Sequence, residues 1–280
     1  MLKRIVVGGT ILAVILGAWL FDSMRGGAAL ACSLLAVLVS VGAMEELMSM
    51  GNAKPARKLV GRIAVALWLG LLALAALVDG AIPSVIGDVL VAASLATVAF
   101  ITLHVRSGPG PVPFRLAGSL WFQVPYVGGV ACLLLLLMAG LLDFTQALVI
   151  TAKASDIGAY FTGKAIGKHK LAPAVSPNKT VQGAIGGIAL SALVGWWLLG
   201  GRVIDVPSGT TIPTGAPAAL LGAVVAVLAM LGDLSESLLK RARQVKDSGT
   251  LFGPSGGFLD LVDSLLLVGP FAVAYTAVAV

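Results

Sequence analysis

The sequence predicts an all-α, polytopic integral membrane protein with about nine transmembrane helices. Three observations carry this. Hydrophobic residues make up 58% of the 280 and charged residues 11%, with a mean hydropathy of +1.01, where soluble domains carry about 25% charged residues. Several apolar runs reach the roughly 20 residues that a helix needs to cross a bilayer. The basic residues also fall almost entirely on alternate connecting loops, as the orientation rule for membrane helices requires.

Taken in order, the first apolar run covers residues 5–21 behind Lys3 and Arg4. No small-x-small cleavage site follows it, so it reads as an uncleaved helix rather than a signal peptide. Further spans are expected at 27–44, 59–78, 82–104, 117–140, 144–163, 183–200, 215–233 and 257–279. Between the second and third, segment 45–58, with Glu45, Glu46, Gly51 and Pro55, reads as a surface loop without chemistry. Residues 1–140 form an N-terminal set of helices, and residues 141–280 a C-terminal catalytic region carrying both motif-rich loops. There is no soluble domain, long linker or internal repeat. The 35 glycines, such as Gly183, Gly186 and Gly187, suit close helix packing in a membrane.

With the N-terminus in the cytoplasm, sixteen of the 19 basic residues lie on the inner loops and tail. Only Arg25 and Arg202 lie outside, and Lys153 sits within a span. That asymmetry sets the orientation. Loops 164–182 and 234–256 then face the cytoplasm, where nucleotides are found. The net charge of +6 and pI near 9.6 follow from this loop bias, and no folded soluble module supports nucleic-acid binding. Cys32 and Cys132 lie inside apolar runs, which disfavours disulfide and metal roles. His104 and His169 are too isolated to form a zinc site.

Chemistry concentrates between Asp233 and Asp263. Asp233, Ser237 and Lys240/Arg241 fall at i, i+4 and i+7/i+8, on one face of a helix. Lys246 and Asp247 follow, then a Gly-rich turn through Gly256 and Gly257, and then Asp260 and Asp263 as an i, i+3 pair. The 17 residues beyond Asp263 make about 25 Å of helix at about 1.5 Å each. This puts both carboxylates near the cytoplasmic edge of the hydrocarbon core. Four acids there (Asp233, Glu236, Asp260 and Asp263) would cost on the order of 10 kcal/mol if exposed to lipid, less near the interface. They are therefore expected to share a polar cavity with cations, an arrangement that suits a Mg²⁺–phosphate site.

A second region spans 153–187. Lys153, Asp156 and Tyr160 fall at i, i+3 and i+7 on one face within a span, and charges there are expected to face inward. The following loop carries Lys164, Lys168, Lys170 and Lys179, with Ser176 and Thr180 just before the next helix. Amides and hydroxyls at a helix start, with lysines nearby, can hold phosphate oxygens. The loop is not a Walker A motif: Gly163 and Gly167 are three residues apart rather than four, and His169 stands where Ser or Thr should follow the lysine.

The run SLLKRARQVKDSGTLFGPSGGFLDLVD resembles the signature of phosphatidate cytidylyltransferases (CDP-diacylglycerol synthases). Ser237, Lys240, Arg241, Lys246, Asp247, Gly249, Gly256, Gly257, Asp260 and Asp263 match it. The upstream run is similar to the same family at Asp156, Ala159, Tyr160, Gly163, Lys168, Leu171, Pro173, Ser176, Pro177, Lys179, Thr180 and Gly183. Together the motifs cover residues 153–263; the N-terminal half is similar only in its pattern of spans. Two departures stand out, Ser255 where the family usually has His and Leu261 where it usually has Arg. Gln182 replaces a frequent Glu.

The resemblance implies transfer of a cytidylyl group from CTP to phosphatidic acid, giving CDP-diacylglycerol and pyrophosphate, at the inner (plasma) membrane. It implies Asp233 and Asp260 as Mg²⁺ ligands, with Asp263 and Asp247 supporting them and a second cation compatible with the site. Lys240, Arg241, Lys246, Lys179 and Lys168 would hold the triphosphate and the lipid phosphate. Ser176, Thr180 and Ser237 would add hydrogen bonds. The nearest alternatives are an archaeol-lipid cytidylyltransferase, a CTP-dependent polyprenol kinase or a catalytically inactive homologue. A transporter would call for paired broken helices in matching halves, which the sequence lacks. A homodimer through small-residue faces is compatible with the glycine content.

Overall fold

The computed structural model describes residues 30–50, 55–77, 81–105, 107–112, 120–202, 216–253 and 256–279, with scattered positions between 14 and 24. Most of the first expected span, 5–21, lies outside the described residues, as do Arg25, Arg106, Arg115 and Ser255.

The described helices are α1 (Leu30–Met50), α2 (Pro55–Leu77), α3 (Ala81–Leu103), α4 (Leu120–Met138), α5 (Leu142–Ile166), α6 (Val181–Trp197), α7 (Ala216–Ala242), α8 (Phe258–Val262) and α9 (Val268–Ala279). Among the described residues, four segments, Ala31–Met50, Val181–Gly200, Pro217–Ala242 and Phe258–Thr276, are long and apolar enough to cross a membrane. Composition and helix lengths together make this a helical membrane protein.

The structure corrects three sequence-based boundaries. Helix α1 does not stop at 44 but runs to Met50, because Ala-Met-Glu-Glu-Leu-Met are good helix formers and the Gly51–Asn52 pair comes only afterwards. Glu45 and Glu46 therefore lie on a helix and not on a surface loop. Helix α7 continues past Asp233 to Ala242, so the acidic and basic residues of the first motif ride on one rigid rod. The last span, expected as one helix over 257–279, is broken. Helix α8 gives way to a 3₁₀ turn at Asp263–Leu265, and α9 begins at Val268. The carboxylate of Asp263 accepts a hydrogen bond from the Ser264 amide at 2.6 Å, the local side-chain-to-backbone pairing that competes with a helix ladder.

The loop 164–182 also differs from an all-helical expectation. It folds into an antiparallel hairpin of β1 (Lys170–Ala172) and β2 (Ser176–Thr180), with Lys170 opposite Thr180 and Ala172 opposite Ser176. Thr180 then caps α6, its hydroxyl accepting from the Gly183 amide at 3.1 Å.

Helices α5 and α6, on either side of this hairpin, approach backbone to backbone. A Cβ at Gly158 would stand 2.7 Å from the Gly186 carbonyl oxygen, and one at Gly187 would stand 2.7 Å from that of Ser155. The packing role expected for these glycines is what the structure displays. Helices α6 and α7 meet in the same way at Gly195 and Gly222. Helix α4 packs against α1, α2, α3 and α9, and one continuous core joins them to the C-terminal helices through Leu47, Met48, Leu148, Leu238, Leu259 and Leu266. At its centre the fully buried Tyr126 of α4 shares a 2.8 Å hydrogen bond with Ser235 of α7. Cys32 and Cys132 are buried free thiols.

Candidate active site

Helix α7 presents Asp233, Glu236, Ser237 and Lys240 at i, i+3, i+4 and i+7, a helical face directed at the broken segment after α8. The approach is close because residue 232 is glycine: a Cβ there would collide with the carbonyl oxygen of Asp263. Asp233 and Glu236 from α7 and Asp263 from the 3₁₀ turn thus converge, with one carboxylate oxygen of each within 4.8 Å of the others. Ser237 donates to Asp233 at a long 3.4 Å.

Lysines from three separate elements surround this acidic group. Lys179 of β2 places its ammonium 2.5 Å from Asp233. Lys240 is ion-paired with Glu236 and reaches Asp260 at 2.6 Å. Lys153 of α5 lies 3.6 Å from Asp156 and 3.9 Å from Asp263. Its ammonium also donates to the Leu261 carbonyl at 2.9 Å and to the Ser264 hydroxyl at 2.7 Å, so it takes up a polar group that the helix break exposes. Ion pairs in a low-dielectric interior are strong only where geometry offsets desolvation, and here the carboxylates outnumber the ammonium groups. Glu236 carries the clearest signal. It is fully buried, and the Lys240 ammonium on one carboxylate oxygen is its compensation, with no backbone or hydroxyl donor beside it among the described residues. Three hard oxygen donors with surplus negative charge fit a divalent cation.

Not every residue expected at the site reaches this point. Asp233 and Asp263 do, joined by Glu236. Asp260 stands beside the group and not in it: one oxygen takes the Lys240 ammonium, and the other accepts from the Ser248 amide at 2.8 Å, the Ser248 hydroxyl at 2.6 Å and the Gly257 amide at 2.9 Å. Lys246 and Asp247 lie exposed on the loop after α7, and Lys168 is exposed ahead of the hairpin. Ser176 opens β2 half-buried, and Thr180 serves the α6 cap. Arg241 turns away from the carboxylates, its guanidinium donating to the Val175 carbonyl at 3.3 Å and the Val245 carbonyl at 3.0 Å. It thereby ties the hairpin to the end of α7. Leu261, at the position of the usual Arg, packs its side chain against the core.

Two residues passed over in the sequence also organise the site. Gln182 accepts from the amides of Lys168 at 3.0 Å and His169 at 3.1 Å, clipping the lysine-rich loop to α6. Glu46 of α1 is buried against Ser248 and the start of α8. The signal for Glu46 was present, since a paired Glu45–Glu46 closes an apolar run, but nothing local indicated a partner some 200 residues away.

Fold and site together define a helical membrane protein with an acidic centre ringed by lysines at the end of its membrane helices. The chain belongs to the cytidylyltransferase family, whose family model matches residues 2–279. It is similar to the phosphatidate cytidylyltransferase of Brucella suis biovar 1, with 41% identity over 125 residues, covering 45% of this chain and 43% of that protein. It is also similar to that of Bacillus subtilis, with 42% identity over 118 residues covering 42% and 41%, respectively. A third relative, from Synechocystis, is 44% identical over 117 residues, covering 42% and 37%. The chain therefore matches less than half the length of each of these curated relatives.

Proposed function

We propose that this protein transfers a cytidylyl group from CTP to phosphatidic acid, releasing pyrophosphate and leaving CDP-diacylglycerol in the membrane. The observation that carries the reading is the convergence of Asp233, Glu236 and Asp263 among Lys153, Lys179 and Lys240. Membership of the family and the similarity to three phosphatidate cytidylyltransferases support it.

In the reaction, an oxygen of the lipid phosphate forms a bond to the α-phosphorus of CTP as the bond to the β-phosphate breaks. The lipid phosphate is already anionic at neutral pH, so positioning and charge neutralisation are the main demands. Asp233, Glu236 and Asp263 would hold Mg²⁺, with Asp260 adjoining them. When bound, the cation neutralises charge and orients phosphate oxygens. Lys179 and Lys240 stand close enough to turn from carboxylates to phosphates, and Lys153 fixes the backbone that presents Asp263. The exposed Lys168 and Lys246 lie on the two loops that would meet the triphosphate. Arg241 and Thr180 hold the hairpin so that Lys179 faces Asp233. Asp247, Ser176 and Ser237 are candidates for supporting contacts to substrate.

The same reading places the protein in the plasma membrane with its N-terminus and active site on the cytoplasmic side. The alternation of basic loops over about nine spans supports this. Assembly as a homodimer is compatible with small-residue helix faces. The direct test uses purified protein in detergent with Mg²⁺, phosphatidic acid and CTP labelled at the α-phosphate. Label moving into the lipid phase with pyrophosphate release is the expected outcome. Transfer of a γ label instead would make the protein a kinase.

A further inference from the structure

We infer that Glu46, in the N-terminal half of the chain, is a positioning residue for the cation site, acting through the segment that carries Asp260 and Asp263. The inference rests on the cation-binding role proposed above. Glu46 lies 9% exposed near the end of α1. One carboxylate oxygen accepts from the Phe258 amide at 2.8 Å, and the other from the Leu259 amide at 2.9 Å. The first amides of a helix have no partner in their own ladder, so this side chain, 212 residues earlier in sequence, is what holds the start of α8. The second oxygen also lies 2.8 Å from the Ser248 hydroxyl, which is 2.6 Å from Asp260. A hydroxyl has a single proton and donates it to one carboxylate at a time. With the Ser248 amide donating to Asp260 at 2.8 Å, the hydroxyl is free to turn to Glu46, and Ser248 links Glu46 to Asp260.

From there the path is short. Asp260 holds Lys240, Lys240 pairs with Glu236, and the backbone runs on through Leu261 and Val262 to Asp263. The surrounding sequence is shaped to admit Glu46. A Cβ at Gly249 would stand 2.6 Å from its carboxylate, and one at Gly257 would overlap it. Two glycines of the C-terminal motif are thus accounted for by a residue outside that motif. No other carboxylate in the N-terminal half enters the site's network among the described residues.

The test compares Glu46→Gln and Gly257→Ala with the wild-type protein in detergent. Glutamine keeps the shape but turns an amide NH₂ towards a donor, whereas Gly257→Ala crowds the carboxylate without changing its charge. Binding of Mn²⁺ is followed by electron paramagnetic resonance, independently of turnover. Both variants should weaken Mn²⁺ binding about tenfold, the effect typical of residues that orient metal ligands. Half-saturating Mg²⁺ in the labelled-CTP assay should rise to match, with KM for CTP at saturating Mg²⁺ within about twofold of wild type. Unchanged Mn²⁺ affinity in folded variants would overturn the inference, as would variants that only melt earlier or never fold. Wild type that binds Mn²⁺ but transfers no label would sink the proposed reaction, while the Mn²⁺ comparison would still decide the role of Glu46. Wild type that binds no Mn²⁺ would overturn both.

Discussion

Replacing Lys240 by methionine removes the ammonium that Glu236 and Asp260 share. Its side chain is 10% exposed, Glu236 is 0% exposed and Asp260 is 12% exposed, so solvent screens little of the interaction. Breaking a buried ion pair by removing one partner costs about 3–5 kcal/mol, because the other charge remains buried. The two carboxylates do not share the loss equally. Asp260 keeps donors from Ser248 and Gly257, whereas Glu236 loses the Lys240 ammonium, its one charged partner among the described residues. The loss should therefore sit near the lower end, about 3 kcal/mol, and come mostly from Glu236. Reversible unfolding in detergent measures it, and a double-mutant cycle with Glu236→Gln apportions it. The double variant should recover most of the stability. Lys240→Met within about 1 kcal/mol of wild type, or no recovery in the double variant, would refute the picture of a buried carboxylate with one compensating cation.

Other expectations follow from the same geometry. Lys179→Met should raise KM for CTP about 10-fold or more, the value of a charge-assisted hydrogen bond to phosphate, and should also lower the melting temperature, because its buried ammonium is the partner of Asp233. Asp263→Asn should lower Mg²⁺-dependent transfer on the order of 100-fold, read from a Mg²⁺ titration, and melt close to wild type because it relieves crowding among carboxylates. Gly158→Val should prevent α5 and α6 from closing and cost about 1–3 kcal/mol. It should show as lost thermal stability and lower recovery of folded protein, while Ile157→Val on the exposed neighbour should have no such effect.

The sequence made the membrane class, most helices and the acidic–basic character of the site legible, because hydropathy and i, i+3/i+4 spacing are local signals. Expected spans such as 82–104 and 144–163 correspond closely to α3 and α5. What escaped was non-local. The i, i+4 and i+7 spacing already put Asp233, Ser237 and Lys240 on one helical face, but it did not show the partner from outside that holds the end of α7, the pairing of Lys240 with Asp260. The break after Val262 depends on Asp263 turning back on its own backbone and on Lys153 taking the freed carbonyl. For Asp260 and Asp263, three residues apart, the resemblance implied Asp260 as a ligand and Asp263 as its support, whereas in the structure Asp260 is filled with donors and Asp263 faces the acidic group. Glu46 was lost for the same reason, since its partners come from the far end of the chain.

The Glu236–Lys240 pair also bears on how the protein is made. Both residues belong to one helix, one turn apart, whereas Lys240 meets Asp260 only after twenty more residues have been synthesised. Each unpaired charge costs roughly 2.5–3.5 kcal/mol on insertion at the bilayer centre and less towards its edge. Helix α7 enters carrying its own counter-charge, so it need not wait for the rest of the site before leaving the insertion machinery. Lys179, which precedes Asp233 in the chain, is likewise already in place on the neighbouring hairpin. The order of residues along the chain thus lets each acidic group meet a cation about as soon as it is buried, and the last carboxylates arrive into a site whose positive charges are waiting.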